Sequence, residues 1–244
     1  MVLLRNLDDP RRRLLVKLLS AGALSTLTSL RGLAADILGD TPGKLPPGRS
    51  IYRLSGQVTV NGAQAMLNTR IGPTDTIATG KGSEVVFAVA DNAYLLRESS
   101  NLNLAQQAEG NVLSNVLRLL TGKLLAVFPQ GKAHRVQTIT ATIGVRGTGV
   151  YLEADPEQTY FCTCYGITDI RANNDAQSSK TVESKHHDEP LYILAKAAQG
   201  KSIRRAPFIN HTDQELMLIE TLVGRQPPFI FPSDDYGGVR KPYE

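Results

Sequence analysis

The residues best suited to chemistry sit late in the chain. Cys162 and Cys164 are its two cysteines, set in Tyr160-Phe161-Cys162-Thr163-Cys164-Tyr165-Gly166. Positions i and i+2 of a β-strand project to one face. Two residues of extended chain span about 6.5 Å, near the upper limit for a disulfide and comfortable for two thiolates on one metal ion. Three of the four histidines follow: His186 and His187 are adjacent, and His211 comes 24 residues after His187. His211 precedes Thr212-Asp213-Gln214-Glu215, a capping box that predicts a helix start. The positive end of a helix dipole keeps a neighbouring imidazole neutral, the form that binds metals. The expected ligands are Cys162, Cys164, His211 and one of His186 or His187. If the histidine pair is extended, only one of its rings faces the thiolates. Sulfur with imidazole suits zinc, copper or iron. The spacing is neither a haem attachment motif nor a common zinc finger. Two other readings stay open: a strained disulfide in an oxidising compartment, or buried apolar thiols with exposed histidines. No nucleophile signature accompanies the pair.

The elements that must position these residues are mostly strands. Residues 54–60 alternate before Asn61-Gly62, a hairpin turn. Strands are predicted over 76–79, 84–89, 93–96, 123–128 and 135–140, separated by Gly or Asn turns. Residues 111–120 read as a short helix, with Val112, Val116 and Leu119 on one face and Gly122 ending it. Residues 171–185 read as a polar loop. A helix over about 213–223 presents Leu216, Ile219, Leu222 and Val223, and Gly224 stops it. The tail, Pro227-Pro228-Phe229-Ile230-Phe231-Pro232 and beyond, reads as a segment packed on the body, with docking to a partner as the alternative.

The chain has 244 residues, with 41% hydrophobic and 20% charged, enough for one sizeable core. Its net charge of +4 is concentrated at the start. Residues 1–35 hold six basic and two acidic residues, leaving 21 of each in 36–244. That balance, the absence of Trp and 6% aromatics exclude a nucleic-acid partner. Arg11-Arg12-Arg13, then a modestly apolar run over 14–30, then Gly32-Leu33-Ala34, has the order of an export signal. Arg12-Arg13-Leu14-Leu15-Val16-Lys17 resembles a twin-arginine signal. The run is too short and polar for a membrane span, so no span is expected in the mature chain. The expected location is periplasmic or otherwise exported.

Several stretches resemble the FecR domain family. Gly72-Pro73-Thr74-Asp75-Thr76-Ile77-Ala78-Thr79-Gly80-Lys81-Gly82-Ser83 is similar to its "G-D-x-I-x-T-G-x-G-S" segment. Residues 136–150, ending Ile143-Gly144-Val145-Arg146-Gly147-Thr148-Gly149-Val150, resemble its "T-x-x-A-x-x-G-V-R-G-T-x-F" pattern. Residues 56–62 resemble the opening strand, and Gly122-Lys123-Leu124 the mid-domain glycine. The likeness spans about 54–172. It implies an all-β domain in an exported position that acts through protein contacts. Family transducers place a cytoplasmic helical domain before a membrane span, and only about 35 residues precede the linker here, so anti-sigma activity is not carried over. Among the motif residues, Asp75, Gly144, Arg146, Gly147 and Thr148 are expected to be structural. Asp75 is expected to bond turn amides, the glycines to make tight turns or close approaches, and Arg146 to be a buried pin of its turn.

The chain thus divides into an export signal over 1–34, a linker over 35–50, a FecR-like β domain over 51–172 and a C-terminal extension over 173–244. The fold class is mainly β, a FecR-like sandwich or short solenoid with one helix in the extension. The function expected is a non-catalytic binding and regulatory module with a protein partner, its extension held by the Cys/His metal site. A metal-responsive or redox sensor is the alternative. A metalloenzyme would need an open coordination position with Glu215 or Asp188 as base.

Overall fold

The structure, a computed structural model, describes residues 42–109, 112–198 and 201–229. The expected export signal, the first part of the expected linker and the tail from 230 onward lie outside the described residues. The described chain is mainly β, as its short alternating runs and Gly and Asn turns require. Its strands are β1 Ile51–Ser55, β2 Val58–Val60, β3 Ala63–Gln64, β4 Thr76–Thr79, β5 Glu84–Val89, β6 Asn92–Leu96, β7 Asn101–Glu109 and β8 Val112–Val127. β9 Ala133–Gln137, β10 Ala141–Ala154, β11 Gln158–Ala172, β12 Asp175–Ser184, β13 Leu191–Ala198 and β14 Lys201–Arg205 follow. Helix α1, Asp213–Leu222, comes last.

All fourteen strands join one hydrogen-bonded sheet, in the order β14-β13-β11-β10-β9-β8-β7-β4-β2-β3. β8 branches to β6, which carries β5 and then β1, and β11 also carries β12. The long strand β11 is therefore a hub. It pairs β10 along its length, β13 through residues 158–161 and β12 through 166–172. Between those last two stretches lie Cys162 and Cys164.

Alternation along the central strands separates two apolar layers. Phe87, Tyr94, Leu96, Leu124, Leu152 and Phe161 pack on one side. Their neighbours Val86, Leu95, Leu125, Tyr151, Tyr160, Cys162 and Cys164 pack on the other, beneath Leu216, Ile219 and Leu222 of α1. Each of those three helix side chains is fully buried, worth about 1.5–3 kcal/mol. A ten-residue helix does not persist alone in water, so this docking maintains it. Polar ties supplement it. Arg97 bonds Glu215 Oε1 at 2.7 Å and the Asn210 carbonyl at 3.0 Å. Arg225 bonds Glu220 Oε2 at 2.7 Å, and the Tyr165 hydroxyl donates to the same carboxylate. The Leu45 amide donates to the Leu222 carbonyl at 2.9 Å, so residues just before β1 also touch the helix end.

Some sequence expectations change. Residues 112–120 are strand, not helix: β8 pairs β7 from Val112 to Thr121, and Gly122 lies within it. Valines and leucines spaced by three and four also fit a strand buried among neighbours. Residues 175–184, expected as polar loop, form β12, where only Ala176 and Val182 are apolar and no hydrophobic alternation shows. The sheet thus continues past 172 into the extension. The strand expected over 54–60 is two, broken at Gly56 with φ +71°. Asn61 and Gly62 make the expected turn, with φ 52° and 81°.

Candidate metal centre

Three stretches of chain bring four ligand atoms together. β11 turns Cys162 and Cys164 toward the α1 layer, both fully buried and both free thiols. The turn between β12 and β13 brings in His187, whose amide donates to the Cys164 carbonyl at 2.9 Å. The segment before α1 brings in His211, its ring stacked on Tyr151 with centroids 4.3 Å apart. Cys162 Sγ lies 3.4 Å from His187 Nδ1, and Cys164 Sγ lies 3.4 Å from His211 Nε2. The two ring nitrogens are 3.1 Å apart. All four ligand atoms lie within 4.8 Å of one another.

These separations approach the edges of a metal tetrahedron. With zinc–sulfur bonds of about 2.3 Å and zinc–nitrogen bonds of about 2.0–2.1 Å, the S···N edge is about 3.5 Å and the N···N edge about 3.3 Å. The outer partners of the two rings decide the protons. His187 Nε2 lies 3.0 Å from Asp213 Oδ1, and His211 Nδ1 lies 2.7 Å from the Ile209 carbonyl. A carboxylate and a carbonyl only accept, so both outer nitrogens carry hydrogen. The inner nitrogens of neutral rings are then two lone pairs facing each other at 3.1 Å, beside two sulfurs. One proton on His187 bridges only part of that set. A cation satisfies all four.

Without a metal, the pocket treats its two thiols unequally. Burial pushes the Cys162 thiol up, but hydrogen bonds from Cys164, His187 and His211 outweigh it and hold it well below the usual thiol range. Cys164 is pushed well above that range, by burial and then by the neighbouring Cys162 sulfur. The pocket accepts one thiolate and resists a second, because two negative charges would share a dry site. Burial lowers His187, yet the hydrogen bonds to Asp213 and Cys162 raise it overall. Burial raises Asp213, and the hydrogen bonds and charges of His187 and His186 bring it down to about 2. A divalent cation would neutralise both thiolates.

Of the expected ligands, Cys162, Cys164, His187 and His211 converge. His186 stands beside them with its Nε2 on Asp213 at 3.0 Å. Asp213 was missed as a partner of the site, although the capping box had already placed it at the helix start. The two carboxylates considered as bases are occupied elsewhere. Glu215 closes the capping box with Thr212 and pairs with Arg97, and Asp188 accepts from the Lys185 and His186 amides at 2.6 and 3.3 Å. His134 is remote from this cluster in sequence and buried in β9, with both ring nitrogens unpaired.

The motif residues act on the backbone. Asp75 accepts from the Gly72 amide at 2.6 Å and from Asn61 Nδ2 at 2.8 Å. Gly144, Gly147 and Gly149 lie inside β10 rather than in tight turns. A Cβ on Gly147 would meet Gln130 Cα at 2.7 Å, and one on Gly149 would meet Tyr165 Cε1 at 2.5 Å. Gly144 has ordinary space. Arg146 is not buried: its side chain is 67% exposed and pairs with Asp169 across β10 and β11. Thr148 is fully buried in the bulged stretch between Arg146 and Gly149.

The family model described as FecR protein matches residues 75–166. Cys162 and Cys164 fall inside that match; His187, His211 and α1 fall beyond it. No curated protein matches the chain. Two crystal structures of a candidate anti-sigma factor from Parabacteroides distasonis align with 54% of this chain at 14% identity, with a TM-score of 0.43. The alignment spans 58% of the length of those structures.

Proposed function

We propose that this chain, which carries a FecR domain over residues 75–166, is an exported, non-catalytic binding and regulatory module that acts through protein contacts. In this reading a metal ion on Cys162, Cys164, His187 and His211 fastens the C-terminal segment to the sheet. Zinc fits the two-sulfur, two-nitrogen set best. One observation carries the metal reading: two imidazole nitrogens and two thiols converge in a buried pocket, the outer hydrogen bond of each ring aiming its inner nitrogen at a sulfur. The regulatory reading rests on the family match. The exported location rests on the basic, apolar and small-residue order of residues 11–34. No helix among the described residues is long and apolar enough to cross a membrane.

Four protein ligands close a tetrahedron and leave no position for substrate, which favours a structural ion over a catalytic one. Glu215 is committed to the helix cap and Asp188 to the amides of its turn, which removes the nearest candidate bases.

Elemental analysis of the purified chain, beside a Cys162→Ser/Cys164→Ser variant, tests the metal reading. One equivalent of zinc, lost in the variant, is the expected result. No metal together with two titratable thiols would overturn it. For the protein-contact reading, cross-linking of the exported chain in its host should yield a discrete heterologous adduct. Only uncross-linked chain would count against it.

A further inference from the structure

A second cluster, His186, His187 and Asp213, shares His187 with the buried one. His186 Nε2 and His187 Nε2 each lie 3.0 Å from the same oxygen, Oδ1 of Asp213. Consecutive residues of an extended chain point to opposite sides. Here His187 has φ +56°, a left-handed conformation that residues other than glycine seldom adopt, and both rings reach Asp213 with centroids 4.8 Å apart. An unusual backbone conformation at a cluster of ligating side chains is a pointer to a site. His187 also offers a different nitrogen to each neighbour: Nδ1 to the thiols and Nε2 to Asp213. The cluster is reachable, because the His186 side chain is 36% exposed while His187 is fully buried.

We propose that His186, His187 and Asp213 form a second, solvent-reachable site for a divalent cation of borderline softness, zinc or copper(II), joined to the buried centre through the His187 ring. Two nitrogens and one carboxylate oxygen match that class. Three protein ligands leave a fourth position to water, the pattern of an exchangeable ion rather than a closed structural one. The incoming cation takes the place of the hydrogens on His187 Nε2 and His186 Nε2. Both protons leave to solvent; the His186 ring takes one back at Nδ1 and stays neutral, the His187 ring becomes a bridging imidazolate, and no electron moves. Occupancy of the outer site would thereby be felt at the buried one. The inference rests on the buried-centre reading for the inward face of His187.

Cobalt(II) titration of the full chain separates the two sites, because sulfur ligands give an intense near-ultraviolet charge-transfer band and nitrogen and oxygen ligands do not. The expected result is two equivalents, the first with the sulfur band and the second without it and weaker. His186→Ala should weaken the second on the order of 100-fold and leave the sulfur band unchanged. His186→Gln, read beside its circular dichroism, distinguishes lost ligation from lost folding. A single equivalent with the sulfur band in both wild type and variant would overturn the outer site and leave the buried centre standing. Absence of the sulfur band would overturn the buried centre. A cobalt equivalent that His186→Ala still abolishes would then uphold the outer site alone, and its absence would overturn both.

Discussion

His187 Nε2 lies 3.0 Å from Oδ1 of Asp213, so the residue that begins helix α1 also orients the ring facing the two thiols. Helix and metal pocket are thereby one device. Asp213→Asn keeps the size of the side chain but takes away its charge. The expected loss in zinc affinity is about 10- to 100-fold, the usual effect of removing the partner of a ligating histidine. Competition against a chromophoric chelator measures it. An unchanged affinity would show that the ring is held without Asp213.

Metal removal should loosen the C-terminal segment first. Above the dissociation constant, each tenfold rise in free zinc adds about 1.4 kcal/mol to stability if the unfolded chain binds none. Thermal unfolding at stepped zinc concentrations should show a rising midpoint, and Cys162→Ser/Cys164→Ser should flatten the series. A midpoint indifferent to zinc in the wild type would oppose a fastening role.

Glu220 is almost fully buried, and Arg225 Nε pairs with it at 2.7 Å. Arg225→Ala leaves that carboxylate without its counter-charge. The expected cost is roughly 3 kcal/mol, as for removing one partner of a buried ion pair. Glu220→Gln in the same chain should recover part of it. Urea unfolding of the single and double variants gives both numbers.

His134 supplies the pH dependence. Burial, and then the charges of Lys132 and Arg225, lower it from 6.5 to about 4 in the folded chain. The unfolded chain therefore binds a proton between those values that the folded chain refuses. Stability is full above pH 6.5 and falls as pH drops toward 4, by at most about 1.4 kcal/mol per pH unit from this group. His134→Phe, which can keep the contact with Phe128, should flatten that limb. An equal slope in both proteins would assign the acid sensitivity elsewhere.

Gly147 has φ +58°, and a Cβ there would stand 2.7 Å from Gln130 Cα. Gly147→Ala meets both backbone strain and an atom that cannot swing aside. A loss of about 2–4 kcal/mol is expected, combining left-handed strain of about 1–2 kcal/mol with the overpacking. Denaturant midpoints of wild type and variant check it.

Local chemistry was readable wherever it depends on neighbours in sequence. Thr212 and Glu215 form their capping box, Asn61-Gly62 makes its turn, and alternation puts Cys162 and Cys164 on one face. What escaped depends on distant partners. β8 mimics a helix because its strand character comes from pairing with β7 and β9 on its two edges, which its own spacing does not record. β12 carries no hydrophobic period because only two of its ten residues are buried. Arg146 looked like an internal pin, yet its partner Asp169 sits 23 residues away on a surface pair. The choice of His187 over His186 turns on a left-handed φ that Lys185-His186-His187-Asp188 does not announce. Asp213 was visible as a capping residue and invisible as a partner of both rings.

The hub position of β11 also orders events in time. Its two thiols take their final direction only once β10, β12 and β13 have zipped along it, and His211 arrives later still in the sequence. β10 and β12 are hairpin neighbours of β11, but β13 pairs Phe161 with Leu191 and His211 lies 47 residues beyond Cys164, and contacts that distant are the slow part of assembling a sheet. An ion that needs all four side chains can therefore be captured only near the end of folding. Its uptake rate would act as a clock on the last step of that assembly rather than as a trigger for the first.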